Sequence, residues 1–363
     1  MKRAPDLQKF ILRHLLLHGR STRPELVALT GRRAATVFEA VDALKRLGAV
    51  VEPDRRGRKT GRRAPELECR GDHACFAGVE LARESAIGVI ADFRGRTVAK
   101  CEIEKRGAAA DSIAAALETL RAKTDKLPEL RGIGVAVPDM SIPENETLST
   151  RFGIPVGVWK PATVRTRMEY LARLPDVPES LLSINTDDMR CGFIRDGRLF
   201  PSPENLDMEL GTIPVTPDGV ELIRVADRYG IADAVRCAIA DGSETILAED
   251  NFTLRRFTRY AYSDRVAYRI AGEVAGYIGR ALAAAVSLLT PELVVLSGEL
   301  SGLGNLLLDA VRRETDAHCP IAARQHLHIE LSTLESGDPA RGAAALIRDR
   351  LYGIDLVAGT EEW

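Results

Sequence analysis

The chain has 363 residues, 45% of them hydrophobic and only 5% aromatic, enough for two or three domains whose cores rest on Ala, Leu, Val and Ile. Its net charge of −2 is unevenly spread: residues 1–70 hold 17 Lys+Arg against 8 Asp+Glu, a net of +9, and the remainder holds 33 against 44, a net of −11. No run approaches the length of a membrane span, no secretory signal pattern opens the chain, and the six Cys lack any Cys-x-x-Cys pair, so a cytoplasmic protein with reduced thiols is expected, without a disulfide frame or zinc site.

The first predicted element is a helix over Asp6–His18, with Leu7, Ile11 and Leu15 on one face. Ser21 and Thr22 are cap candidates for a second helix that takes Pro24 in its first turn and stops at Gly31. A third helix follows, its apolar positions Val37, Val41 and Leu44 recurring at i, i+4 and i+7, and Gly48 ends it. Two short helices joined through a Gly turn outline a helix-turn-helix, and Val50–Val51 begins a strand that leads into a wing. At the start and exposed side of the third helix stand Arg32, Arg33, Ala34, Ala35, Thr36 and Glu39, short or basic residues that let a backbone approach a major groove. The wing offers Arg55, Arg56, Arg58, Lys59, Arg62 and Arg63 interleaved with Gly57 and Gly61, a pattern suited to a narrow, electronegative minor groove. With the charge asymmetry, these residues predict double-stranded DNA as the partner, with Arg32, Arg33, Ala35, Thr36, Glu39, Arg58, Lys59, Arg62 and Arg63 as its contacts.

Residues 1–71 form this DNA-binding domain and 72–363 the rest. From Phe76 strands alternate with helices, which implies α/β layers. Strands are expected at Ala86–Phe93 and Thr97–Ile103 around an Arg94-Gly95-Arg96 turn, then a helix at Ala110–Arg121 and a buried strand at Gly132–Val137 before Pro138. Ser180–Ile184, Cys191–Ile194 and Arg198–Phe200 read as further strands, with Asp196-Gly197 as a hairpin turn. Helices dominate after Val220; the longest runs over Asp264–Leu289, followed by a strand at Leu293–Leu296 and a helix at Leu303–Arg313. His326–Leu331 is a strand and Pro339–Leu351 a last helix. No internal repeat stands out.

An ordered set of motifs resembles the ROK family, named for repressors, open reading frames and sugar kinases, and within it the winged-helix regulators. Arg23-Pro24-Glu25-Leu26, Leu29-Thr30-Gly31 and Ala35-Thr36-Val37 are similar to its helix-turn-helix, and Gly57 to Pro65 to its wing. Gly132 to Pro138, Gly153-Ile154-Pro155-Val156, Asp196-Gly197-Arg198-Leu199, Glu209-Leu210-Gly211 with Pro217-Asp218-Gly219, Pro291 to Gly298, and Gly337-Asp338 with Gly342-Ala343-Ala344 follow in family order. The resemblance implies an N-terminal winged helix-turn-helix followed by a two-lobed actin-like ATPase (ribonuclease H-like) domain.

The departures weigh against a kinase. Glu80-Leu81-Ala82-Arg83-Glu84 replaces the first Gly-rich phosphate turn, and Glu84 would repel phosphate. Pro161 stands at the general-base position, Thr186 to Gly192 replaces the second phosphate turn, and Ser297-Gly298 is a reduced adenosine-side Gly-Gly. The zinc stretch is gone: Thr212 sits at its His position, and no Cys follows before Cys237. Glu209 survives, and the resemblance implies a contact with sugar hydroxyls, or else a surface carboxylate kept for structure. Lys160, Arg165 and Arg167 near the sugar cleft would suit an anionic ligand, although their spacing fits a solvated helix face better. The expectation is a non-enzymatic transcription regulator, a repressor of carbohydrate-related genes without cofactor or metal. It would bind a palindromic operator as a homodimer or dimer of dimers, with a small sugar-like effector or none. Helices Asp264–Leu289 and Leu303–Arg313 are candidates for the pairing interface, with packing inside one lobe as the plainer reading. The alternative is a sugar kinase with an added DNA-binding domain.

Overall fold

Thr22 and Glu25 cap one another at the first helical junction: the Thr22 N–H donates to Glu25 Oε2 at 2.7 Å, while the Glu25 N–H donates to Thr22 Oγ1. The computed structural model describes residues 4–53, 64–82, 84–105, 107–124, 127–137, 145–174, 176–200, 208–247, 252–335 and 337–354. The capped helix α2 (Arg23–Thr30) lies between α1 (Ala4–His18) and α3 (Ala34–Arg46). Gly31 closes α2 in the left-handed region at φ 60°, where a residue without Cβ is unstrained. The helices bury Ile11, Leu12, Leu15, Leu26, Val37, Val41 and Leu44; Leu12 takes the inner position expected for Leu7, which is only half-buried. Strands β1 (Ser21–Thr22), β2 (Val50–Val51) and β3 (Glu66–Cys69) form a small antiparallel sheet in the order β1-β3-β2.

The chain divides into two units. The first takes Met1–Val164, Leu171–Val177 and Glu335–Leu356; the second takes Arg165–Tyr170, Pro178–Leu334 and Val357–Trp363. Beyond its helical head, the first unit carries β4 (Cys75–Leu81), β5 (Ser85–Asp92), β6 (Thr97–Glu104), α4 (Ala109–Ala122), β7 (Leu130–Ala136), α5 (Asn145–Phe152), β8 (Val156–Trp159) and the start of α6 (Pro161–Leu171). The sheet order is β6-β5-β4-β7-β8; β5 is antiparallel to both of its neighbours, β4 and β6, while the pairs β4–β7 and β7–β8 are parallel.

The second unit carries β9 (Ser180–Asn185), β10 (Arg190–Arg195), β11 (Arg198–Leu199), β12 (Met208–Glu209), α7 (Leu222–Ala226), α8 (Arg228–Ala240), α9 (Leu254–Tyr260) and α10 (Arg265–Leu289). After these come β13 (Leu293–Ser297), α11 (Asn305–His318), α12 (Ile321–Arg324) and β14 (His328–Leu331). Its sheet runs β11-β10-β9-β13-β14 with the same pattern of antiparallel and parallel pairs. Each unit therefore orders its strands third, second, first, fourth, fifth. That duplicated order is the ribonuclease H-like sheet of the actin-like fold. No repeat was visible in the sequence because the duplication survives in topology while the side chains have diverged.

The last helix, α13 (Asp338–Leu351), returns to the first unit and packs on β4, β5, β7 and β8, opposite α4. Gly78, Gly134 and Gly157 stand in register across β4, β7 and β8. A Cβ on Gly78 would lie 1.7 Å from the Ala340 carbonyl oxygen, and one on Gly134 1.9 Å from that of Ala343. Glycines in the strands and alanines in α13 thus let helix and sheet backbones touch.

Two expectations change. Helix α10, with 25 residues, is long and apolar enough to cross a membrane by length and composition. Its hydropathy reflects burial instead, since Val266, Ile270, Val274, Ile278, Leu282 and Val286 lie in the core of the second unit. Leu303 belongs to a tight 3₁₀ turn, so α11 begins at Asn305. Strands β4 and β8 and helix α5 had no element assigned to them from the sequence.

Candidate nucleic-acid interface

Helix α3 starts without a side-chain cap at Arg33, and Arg32, Arg33, Ala34, Ala35, Thr36 and Glu39 are all exposed. Its opposite face is anchored. The Arg23 guanidinium lies over the Phe38 ring at 5.1 Å and pairs with Asp42 at 2.6 Å, which fixes α2 against α3. Lys45 pairs with Glu52 at 2.9 Å and Arg20 with Glu68 at 2.8 Å. These pairs neutralise the basic residues behind the helix, whereas Arg32 and Arg33 have no ion pair among the described residues. Positive charge, uncapped N–H groups of Ala34 to Thr36 and small side chains therefore meet on one exposed surface, the arrangement that suits a phosphate backbone and groove edges. The remaining predicted contacts, Arg58, Lys59, Arg62 and Arg63, lie outside the described residues, between β2 and β3.

The two turns expected to receive phosphate are filled by the chain itself. At the β4–β5 hairpin the Ala82 N–H donates to the Ser85 carbonyl at 2.9 Å, and Glu84 is exposed. In the second unit, Asp187 accepts the Glu299 N–H at 2.6 Å, so a carboxylate already takes the donor that opens the turn after β13. Gly298 is held at φ 97° there, and a Cβ on it would come within 2.8 Å of Thr186, Asn185 and Asp187. Crowding by the surrounding chain raises the Asp187 carboxyl above its usual range, and the charges of Glu299 and Asp188 add to the rise. Negative charge and a spent donor make this turn hostile to a nucleotide phosphate. Pro161 is the first residue of α6, where its fixed φ and missing N–H cost nothing.

Lys160, expected at a ligand site, is 7% exposed just before α6. The solvated-face reading of Lys160, Arg165 and Arg167 is corrected: Arg167 is 1% exposed and Arg165 half-buried. In α6 Thr166, Arg167 and Glu169 are buried, and the Ser332 hydroxyl donates to Glu169. These polar residues are buried alongside Val164 and Met168, so their charge alone made the helix look solvated. Glu209, the other proposed ligand residue, lies exposed on β12 opposite Arg190, and the two side chains approach to 3.5 Å. The two helices considered for chain pairing, α10 and α11, pack on one another inside the second unit; a Cβ on Gly279 would come 2.8 Å from the Val311 carbonyl. Beside them runs a groove of about 320 Å³ that mixes Arg269, Arg280 and Arg313 with Glu273 and Glu314.

Sequence reasoning missed the glycine cradle under α13 and the Asp187–Glu299 closure. The first had a signal, since Gly78 and Gly134 each stand inside a run of mostly apolar strand residues; the second joins residues 112 apart and had none.

The repeated sheet order, behind three helices and a short antiparallel ribbon, defines a two-lobed actin-like protein with a helical head. Residues 229–350 match the ROK family model. It is 24% identical to the DNA-binding transcriptional dual regulator NagC of Escherichia coli K12, covering 93% of this chain and 91% of that one. It is 23% identical to the xylose repressor of Caldicellulosiruptor bescii, covering 93% of this chain and 94% of that protein. The crystal structure of a ROK family transcriptional regulator, a homolog of the Escherichia coli Mlc protein, superposes with a TM-score of 0.81 at 20% identity, covering 97% of this chain and 98% of that one. The chain shares that fold.

Proposed function

We propose that this protein is a cytoplasmic, sequence-specific DNA-binding transcription regulator, a repressor of carbohydrate-related genes, and that it performs no phosphoryl transfer. The observation that carries the reading is the exposed start of α3, where Arg32 and Arg33 have no carboxylate partner among the described residues while Arg23, Lys45 and Arg20 are paired. The names of the relatives, a transcriptional regulator and a xylose repressor, support it. The filled turns at Ala82–Ser85 and Asp187–Glu299 support the loss of kinase chemistry. Residues 1–71 are the winged helix-turn-helix, with Arg58, Lys59, Arg62 and Arg63 on its wing, and residues 72–363 the effector body. Because one winged helix reads only a few base pairs, the working form is a homodimer or dimer of dimers on a palindromic operator. Lys160 in the first unit and Glu209 in the second are, each by itself, candidate contacts for a small sugar-like effector.

Duplex binding titrated over a range of salt concentrations tests this. Each lost phosphate contact lowers the slope of log K against log salt by about 0.9, so Arg32→Ala with Arg33→Ala is expected to flatten it by roughly 1–2 units. An unchanged slope would place the contact surface elsewhere. Turnover of ATP with any hexose, amino sugar or sugar acid would overturn the non-enzymatic reading.

A further inference from the structure

The connector between the helical head and the sheet of the first unit is short and tied at almost every residue. Only residues 70–74 separate β3 from β4. The Arg70 N–H donates to the Ala49 carbonyl at 2.8 Å, and the Gly71 carbonyl accepts the Phe93 N–H at 3.1 Å. Ala74 is fully buried, and the Cys75 N–H donates to the Glu129 carbonyl at 2.9 Å. The body also reaches into the head through a side chain. Arg94, on the turn between β5 and β6, donates through Nε to the Cys69 carbonyl at the end of β3 and through its terminal nitrogen to Glu68 Oε1 at 2.6 Å. Glu68 in turn holds Arg20, whose side chain belongs to the head. A second fastening sits beside it. The Tyr352 hydroxyl, just beyond α13, accepts from Arg131 at 2.8 Å and lies 2.8 Å from His73 Nε2 in the connector.

β3 is the strand that pairs with both β1 and β2, so whatever holds its end holds the root of the ribbon. We infer that Arg94 is a positioning residue for DNA recognition: it clamps the root of β3 so that the body, and not a flexible linker, sets the direction of the head. Tyr352 and His73 make the same clamp from the C-terminal side. Helix α13 follows the last strand of the second unit in the chain, so the same fastening gives that unit a covalent route to the head.

The inference rests on the DNA-binding reading, and a two-part experiment on the full-length protein separates them. One base pair inserted between the half-sites of a palindrome rotates one half-site by about 34° and shifts it about 3.4 Å. A rigidly held pair of heads loses affinity on that insertion, whereas loosely held heads follow the site. Wild type is expected to lose about tenfold or more, Arg94→Ala less than about threefold, with affinity for an isolated half-site unchanged within about twofold. Arg94→Lys, which keeps the charge opposite Glu68, should restore part of the penalty, and Tyr352→Phe should act like Arg94→Ala. A purely stabilising role would lower half-site affinity and leave the spacing penalty intact, which would overturn the inference. If the wild type binds no duplex at all, the proposed function fails and hydrogen exchange without DNA decides the clamp. Amides of Cys69, Gly71, His73 and Cys75 should then exchange about tenfold faster in Arg94→Ala, with α2 and β9 unchanged. Equal exchange rates would refute it.

Discussion

Replacing Gly134 with Ala tests the contact between α13 and the sheet of the first unit. The added Cβ would sit 1.9 Å from the Ala343 carbonyl oxygen and 2.4 Å from its carbon, and real Cβ contacts essentially never fall below 3.0 Å. The obstacle is main chain on both sides, so no rotamer change relieves it, and β7 and α13 must part by roughly 1 Å. Overpacking of this kind costs about 1–3 kcal/mol when side chains yield, and a backbone clash belongs at or above the upper end. At about 2–4 °C per kcal/mol, a loss of about 3 kcal/mol lowers the melting temperature by roughly 6–12 °C. Gly272→Ala is the matched control. It lies inside α10 with nothing within 4 Å of the new Cβ, so removing a helical glycine should stabilise by about 0.5–1 kcal/mol. Urea and thermal unfolding of the full chain, followed by circular dichroism and by the fluorescence of the buried Trp159 on β8, would resolve the two units if they melt separately. A Gly134→Ala protein melting within about 1 °C of wild type would show that α13 does not lie on the sheet as described.

Two further outcomes follow from the head and the connector. Burial, aided by His18, lowers the His14 pKa below 6.5, and burial with Arg131 and Arg70 nearby lowers that of His73. The unfolded chain therefore takes up protons that the folded protein resists, so stability is intact above pH 6.5 and is lost as pH falls through the depressed folded values. Melting curves at several pH values check this: the fall on acidification should be smaller in a His14→Gln, His73→Gln variant, and an equal fall would refute the assignment. Thr22→Ala removes half of the capping box and should cost about 1 kcal/mol, read as a shift in the unfolding midpoint of the head.

Local patterns made most elements legible. The apolar spacing at Val37, Val41 and Leu44 marks the buried side of α3, and Asp196-Gly197 turns between β10 and β11 at φ 53° and 70°. Glycine at 31 and Pro24 with Thr22 bracket α2 because capping chemistry is settled within one turn of helix. Strand β8 and helix α5 escaped notice because Gly157 and the polar run of residues 145–151 carry neither period clearly. Helix α6 misled for the opposite reason: buried Arg167 and Glu169 look like surface residues, and the partner of Glu169, Ser332, lies far along the chain.

By itself the sequence determined the helical head and its charge, since propensity, capping and charge act over a few neighbouring residues. Tertiary structure alone decided the rest. It set two sheets in one strand order, laid Ala340 and Ala343 on Gly78 and Gly134, brought Asp187 to the Glu299 N–H, and turned Arg94 back onto the end of β3. Each of these joins segments tens to hundreds of residues apart, and such contacts depend on distances in space that no local pattern encodes.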